Sequence, residues 1–135
     1  MRRIVLDTNC LVMALPTRSP YQKIWADFLN GNLEFCVSTE ILYEYEEIIT
    51  KMVSPYMAEI VMNSLINAPN LIKIEPQWRF NLIKADPDDN KFVDCAICGN
   101  AEYIVSNDKH YSILNTIDFP IVNLLGIKEF VELIK

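Results

Sequence analysis

The twenty residues DNKFVDCAICGNAEYIVSND (89–108) decide how this chain folds. Phe92, Val93, Ala96 and Ile97 recur with the spacing of one helix face. Gly99-Asn100 breaks that rhythm, the β-rich run Tyr103-Ile104-Val105-Ser106 follows, and Asp108 stands just beyond it. A helix leading into a short apolar strand that ends near an acid is the unit of an α/β fold. The opening MRRIVLDTNC (1–10) has the same second half, since Ile4-Val5-Leu6 runs straight into Asp7.

Working outward, the pattern predicts strands at Arg3–Asp7, Leu33–Val37, Leu71–Ile74, Tyr103–Ser106 and Pro120–Leu124. It predicts helices at Tyr21–Leu29, Thr39–Met52, Pro55–Asn67, Asn90–Asn100, Lys109–Leu114 and Ile127–Ile134. Ser38-Thr39 and Ser54-Pro55 are helix-start signals, and Asp88 is the expected cap of the helix after it. Residues 75–88 are expected to be a loop with a short helical turn. The expectation is an α/β fold: one three-layer domain over residues 1–135, with a central, mostly parallel sheet of about five strands flanked by helices. Sites in such sheets lie beyond the carboxyl ends of the strands.

At 135 residues and 51% hydrophobic, the chain can build one core without staples. Only three apolar residues separate Arg3 from Asp7, too few for a signal peptide, and no apolar run reaches the ~18 residues of a membrane span. The expected location is cytoplasmic, with no membrane partner and with Cys10, Cys36, Cys95 and Cys98 reduced.

An acid after one strand is an ordinary turn residue. Asp7 and Asp108, after two parallel strands on one sheet edge, make a more specific pair. Helix phase selects two more acids. Around the stripe of Ile41, Leu42, Tyr45, Ile48, Ile49 and Met52, Glu44 lies at the flank with Glu46 only slightly further round, while Glu40 and Glu47 turn to solvent. In the later helix Asp89 points along the middle of the inward face, and Asp94 lies at its flank. An inward carboxylate is costly unless compensated.

IVLDTN (4–9), VSTEILYEYEEII (37–49) and DPDDNKFVDCAICGNAEYIVSNDKHY (86–111) resemble, in order and spacing, the signature blocks of PIN domains. The resemblance is strongest to the prokaryotic group described as toxin components of toxin–antitoxin pairs. It runs from the first residues to about Leu114. It implies four site acids: Asp7 in Asp-Thr-Asn, Glu44, Asp89 in Asp-Pro-Asp-Asp, and Asp108 in Val-Ser-Asn-Asp, where the family more often has threonine at the position of Ser106. Asp94 stands where some relatives carry a further acid.

Four or five converging carboxylates need a counter-charge. Mg²⁺ or Mn²⁺ suits oxygen ligands that must also hold phosphate. This chemistry suits metal-dependent hydrolysis of a phosphodiester bond, and the resemblance implies that the substrate is RNA. Asp7, Asp89, Asp94 and Asp108 are the expected metal ligands, Glu44 orients the attacking water or a second ion, and Asn9 and Ser106 are supporting polar groups. An antitoxin protein and a homodimer are the partners this resemblance implies. Setting aside the five acids reconciles the net charge of −6, because 13 acids then face 12 bases. Lys91 and Lys109 are candidate phosphate contacts, more in keeping with solvated lysines.

Other signals are weaker. Cys95-x-x-Cys98 has no second Cys pair, and His110 is the single histidine. With three glycines there is no phosphate-binding glycine loop. The competing class is a non-catalytic interaction module of the same fold, whose acids are caps and surface charges.

Overall fold

A computed structural model of the chain describes residues 1–84, 86–118 and 120–135. Five strands form one sheet: β1 (Arg2–Leu6), β2 (Leu33–Val37), β3 (Leu71–Lys73), β4 (Tyr103–Val105) and β5 (Leu124–Leu125), in the order β3-β2-β1-β4-β5. All neighbours pair in parallel, with Leu6 opposite Val105 and Ile4 opposite Phe35. The expectation of a mostly parallel sheet thus becomes a wholly parallel one. The chain steps from β1 outward to β3, then returns to the other side of β1 for β4 and β5. That reversal opens a crevice at the carboxyl ends of β1 and β4.

The helices are α1 (Thr8–Ala14), α2 (Gln22–Leu29), α3 (Thr39–Met52), α4 (Pro55–Ile66), α5 (Asn90–Cys98) and α6 (Ile127–Ile134). Ser38 and Ser54 accept the Ile41 and Met57 amides and cap α3 and α4. Phe28 on α2 stacks on Phe35 with ring centroids 4.2 Å apart, and Phe130 on α6 meets Tyr103 edge-on. Phe35, Ile4 and Tyr103 share one row of the register, so α2 and α6 cover the same face. The alternate residue Cys36 meets Cys95 of α5 at 3.7 Å between sulfurs, which puts α5 on the opposite face. All four cysteines are free.

The close fit of α5 on the sheet depends on Gly99, its C-cap. A Cβ there would lie 2.3 Å from Cys36 Sγ and 2.9 Å from the Cys95 carbonyl oxygen. Arg3 of β1 donates to the Gly99 carbonyl at 2.7 Å, a cation at the negative end of the helix.

Several boundaries differ from expectation. Helix α1 was not predicted: its seven residues are too few to develop a stripe, and Asp-Thr-Asn reads as a turn. The fifth strand is Leu124–Leu125 and not Pro120–Leu124, because β4 offers only three residues to pair with and the ladder joins it at Ile104. Lys109–Thr116 is a 3-10 helix and not an α-helix. Asp88 caps nothing. Asp86 accepts the Asp88 amide and starts a 3-10 turn, Pro87–Asp89, leaving Asp89 at the N-cap position of α5 without a side-chain cap bond. Ala85, within the stretch expected to be a loop, lies outside the described residues. Among the described residues, no helix is long and apolar enough to cross a membrane.

Candidate active site

Asp7 is the first residue past β1, its amide bonded to the Val105 carbonyl at 3.0 Å. It is therefore fixed to β4, the strand that delivers Ser106 and Asp108. The Ser106 hydroxyl donates to Asp7 Oδ2 at 2.7 Å and accepts the Asp108 amide at 3.0 Å. One buried hydroxyl thus ties the two strand-end acids together. Burial pushes the Asp7 carboxyl above its usual range; the Ser106 hydroxyl opposes this, while Glu44 and Asp108 add to it.

Asp89 approaches from the start of α5. Its Oδ2 is buried and has no hydrogen-bond partner. Burial comes first and the carboxylates of Asp86, Asp108 and Asp7 follow in pushing its pKa up to about 6, with His110 opposing. His110 Nδ1 lies 3.6 Å from Asp89 Oδ2 and 3.4 Å from Asp108 Oδ1. The buried Tyr111 hydroxyl also lacks a partner, and after burial the nearby Asp7, Asp89 and Asp108 drive its pKa up. Two orphaned polar atoms among acids are costly in a protein left to itself. A cation at Asp89 Oδ2 would remove the share of that cost that falls on the carboxylate.

Ligand atoms of Asp86, Asp89 and His110 lie within 4.8 Å of one another. Asp86 and His110 were not among the expected ligands. The spacing of Asp86 from Asp89 is a signal that could have found the first, since residues i and i+3 align in a 3-10 turn. Nothing in the sequence around His110 marks the second. The oxygen-rich donor set and the orphaned Asp89 oxygen together fit a hard divalent ion.

Glu44 enters from α3. One oxygen accepts from the Thr8 hydroxyl, and the other is 2.8 Å from Lys91 Nζ. The side chain of Lys91 is only 10% exposed, so it is neither a solvated lysine nor a free phosphate contact. Glu40, Glu46 and Glu47 are exposed, as helix phase predicts for the first and last. Asp94 is 2% exposed and turns elsewhere. It accepts the Phe80 amide at 3.0 Å and borders a hollow with Ser38, Glu40, Arg79 and Lys91. Burial raises its pKa against the pull of that amide and of Arg79. Asn9 is exposed on the first turn of α1.

The segment before α5 is held in place by Asn90, whose amide group exchanges two 2.9 Å hydrogen bonds with the backbone of Ile83. Beside His110, a cavity of about 480 Å³ opens between Asn81, Lys84, Ile113 and Thr116. Cys10 is no nucleophile, because burial pushes its thiol up to about 12.

The Asp89 carboxyl has a testable consequence. Its folded pKa is raised from 3.8 to about 6. Its contribution to stability is therefore complete below pH ~4 and is lost as pH rises through about 6. The metal-free protein should lose on the order of 1 kcal/mol between these limits relative to Asp89→Asn, given the partial exposure of the site. Paired urea titrations of the two proteins from pH 4 to 7 in EDTA measure it, and parallel curves contradict it.

Comparison with known proteins agrees with this architecture. A family model described as PIN domain matches residues 3–110. Among solved structures, the chain is similar to VapBC2 from Rickettsia felis bound to a DNA fragment from its promoter, at 17% identity and TM-score 0.62 over 92% of this chain and 98% of that one. It is also similar to DNA-bound VapBC from Salmonella typhimurium, at 14% identity and TM-score 0.58 over 94% and 99% of the chains. A third is FitAcB from Neisseria gonorrhoeae, at 14% identity and TM-score 0.57 over 93% and 98%. At such identities the likeness is one of fold. No curated relative matches the sequence.

Proposed function

The chain belongs to the PIN-domain family, and on that premise we propose that it is an endoribonuclease dependent on Mg²⁺ or Mn²⁺ and the toxin of a toxin–antitoxin pair. Members of this family are typically nucleases. The observation that carries the reading is Asp89 Oδ2, a buried carboxylate oxygen left without a donor among Asp7, Asp86, Asp108 and His110.

Asp89 would hold the ion with Asp86 and His110, whose ligand atoms stand together with its own, and Asp7 and Asp108 would complete the donor set. When bound, the ion makes water more acidic and stabilises charge on a phosphate. Ser106 fixes the orientation of Asp7 and the turn that presents Asp108. Glu44 borders the attack position, held by Thr8 and Lys91. Asp94 supports the segment at Phe80, and Asn9, exposed at the rim, is free to donate to a phosphate oxygen. The cavity beside His110 is large enough for a nucleoside next to the cut, with Lys84 and Asn81 as polar contacts. An antitoxin that covers the acidic crevice and a homodimer complete the assembly.

The test is cleavage of single-stranded RNA by the purified protein. Cuts should accumulate with Mn²⁺ or Mg²⁺, stop in EDTA and resume when Mn²⁺ is restored. Cleavage that continues in EDTA would rule out the metal-dependent route. Absence of both cleavage and any Mn²⁺-linked rise in Tm would favour the interaction module.

A further inference from the structure

Lys91 occupies one side of the acidic crevice. Its Nζ stands 2.8 Å from Glu44 Oε1 and 3.3 Å from Asp88 Oδ2, and it donates to the Asp88 carbonyl at 2.8 Å. An ammonium has three N–H donors, and these three acceptors use them all. Two carboxylates and a carbonyl around one enclosed ammonium make Lys91 a fixed cation. The second oxygen of Glu44 is taken by the Thr8 hydroxyl. Glu44 is thus neutralised from within the protein. Among the described residues, no lysine or arginine pairs with Asp7, Asp89 or Asp108.

The asymmetry bears on how many ions the crevice holds. An ion placed on Glu44 Oε1 at the ~2.1 Å typical of Mg²⁺ would lie within about 5 Å of the Lys91 ammonium. Repulsion between a dication and an ammonium at that separation is severe even in a polar protein environment. On the other side, Asp7, Asp86, Asp89 and Asp108 have no lysine or arginine partner among the described residues, and one divalent ion offsets two of their negative charges.

We propose that the Lys91 ammonium stands in for a second metal ion at Glu44, so that the centre takes one divalent ion, on the side of Asp7, Asp89 and Asp108. This rests on the metal-dependent reading above. It makes Lys91 and Glu44 positioning residues that set ion number and affinity, and it limits Glu44 to steering water.

Calorimetric titration with Mn²⁺ alone, with bound ion counted by electron paramagnetic resonance, tests this without reference to activity. The native protein should bind one ion per chain. Lys91→Met frees Glu44 and should bind a second ion, or bind the first about tenfold more tightly. Glu44→Gln leaves the ammonium uncompensated and should weaken the single site by about tenfold. Lys91→Arg should keep the native count. The opposite signs are decisive, because a purely structural ion pair would weaken binding whichever partner was lost. Two ions on the native chain, or weakening by both substitutions, overturn the assignment of Lys91 and leave metal dependence standing. No ion on the native chain overturns both. Should Lys91→Met fail to fold, the ion count on the native chain decides: one ion supports the assignment of Lys91 and two overturn it.

Discussion

Asp7→Asn should lower RNA cleavage by about a hundredfold to a thousandfold, the usual cost of losing one preorganised electrostatic group at a reaction centre. The same substitution should leave the metal-free protein more stable than the native one. Both effects arise from burial. Asp7 is 9% exposed and its carboxyl is pushed up first by desolvation. A group whose folded pKa is raised helps stability only at low pH, below its unfolded value, and loses that help as pH rises through the folded value. Above the unfolded value, that raised pKa makes Asp7 a burden, which asparagine removes while still accepting the Ser106 hydroxyl. Cleavage with Mn²⁺ and urea unfolding in EDTA measure the two halves. Near-native cleavage, or a metal-free variant less stable than the native chain, contradicts the placement of Asp7 at the metal.

Phe35→Ala should have the largest effect on stability, about 3–5 kcal/mol, out of a total that for most domains is only ~5–15 kcal/mol. Phe35 is fully buried on β2, stacked on Phe28 at 4.2 Å and 11° between planes, and near Trp25 at 6.5 Å. Its neighbours in the register, Ile4 and Leu71, belong to fixed strands that cannot close over the hole. The transition should fall by roughly 10 °C or more in a thermal melt. Because Phe35 faces α2 and the acids lie towards α5, cleavage below the transition should persist. A loss smaller than about 1 kcal/mol would show that the aromatic layer repacks freely.

Much of this arrangement was legible in the residues. Periodicity located four of the five strands in place and five of the six α-helices, because long amphipathic stripes and β-branched runs carry their own signal, and strand ends marked Asp7 and Asp108. The failures were of two kinds. Short elements have too few residues to show a period, which hid α1 and displaced β5. Pairings between distant segments leave no local trace, so the Glu44–Lys91 pair, the Thr8 hydroxyl on Glu44 and the approach of His110 to Asp89 appeared only in three dimensions. Lys91 shows the difference most sharply: by helix position it reads as an exposed cation, yet the fold encloses it. The angle of Asp89 at the start of α5 was readable, whereas its missing hydrogen bond was not.

The absent side chain at Gly99 ties the chemistry to a position that touches none of the acids. A methyl group there would collide with Cys36 and with the backbone of α5 itself, and the cheapest relief is for the helix to tilt away from the sheet. Asp89 rides on the other end of that lever. A mutational screen scored by RNA cleavage would then flag residue 99 as intolerant, although it lies at the far tip of the rod that aims the carboxylate.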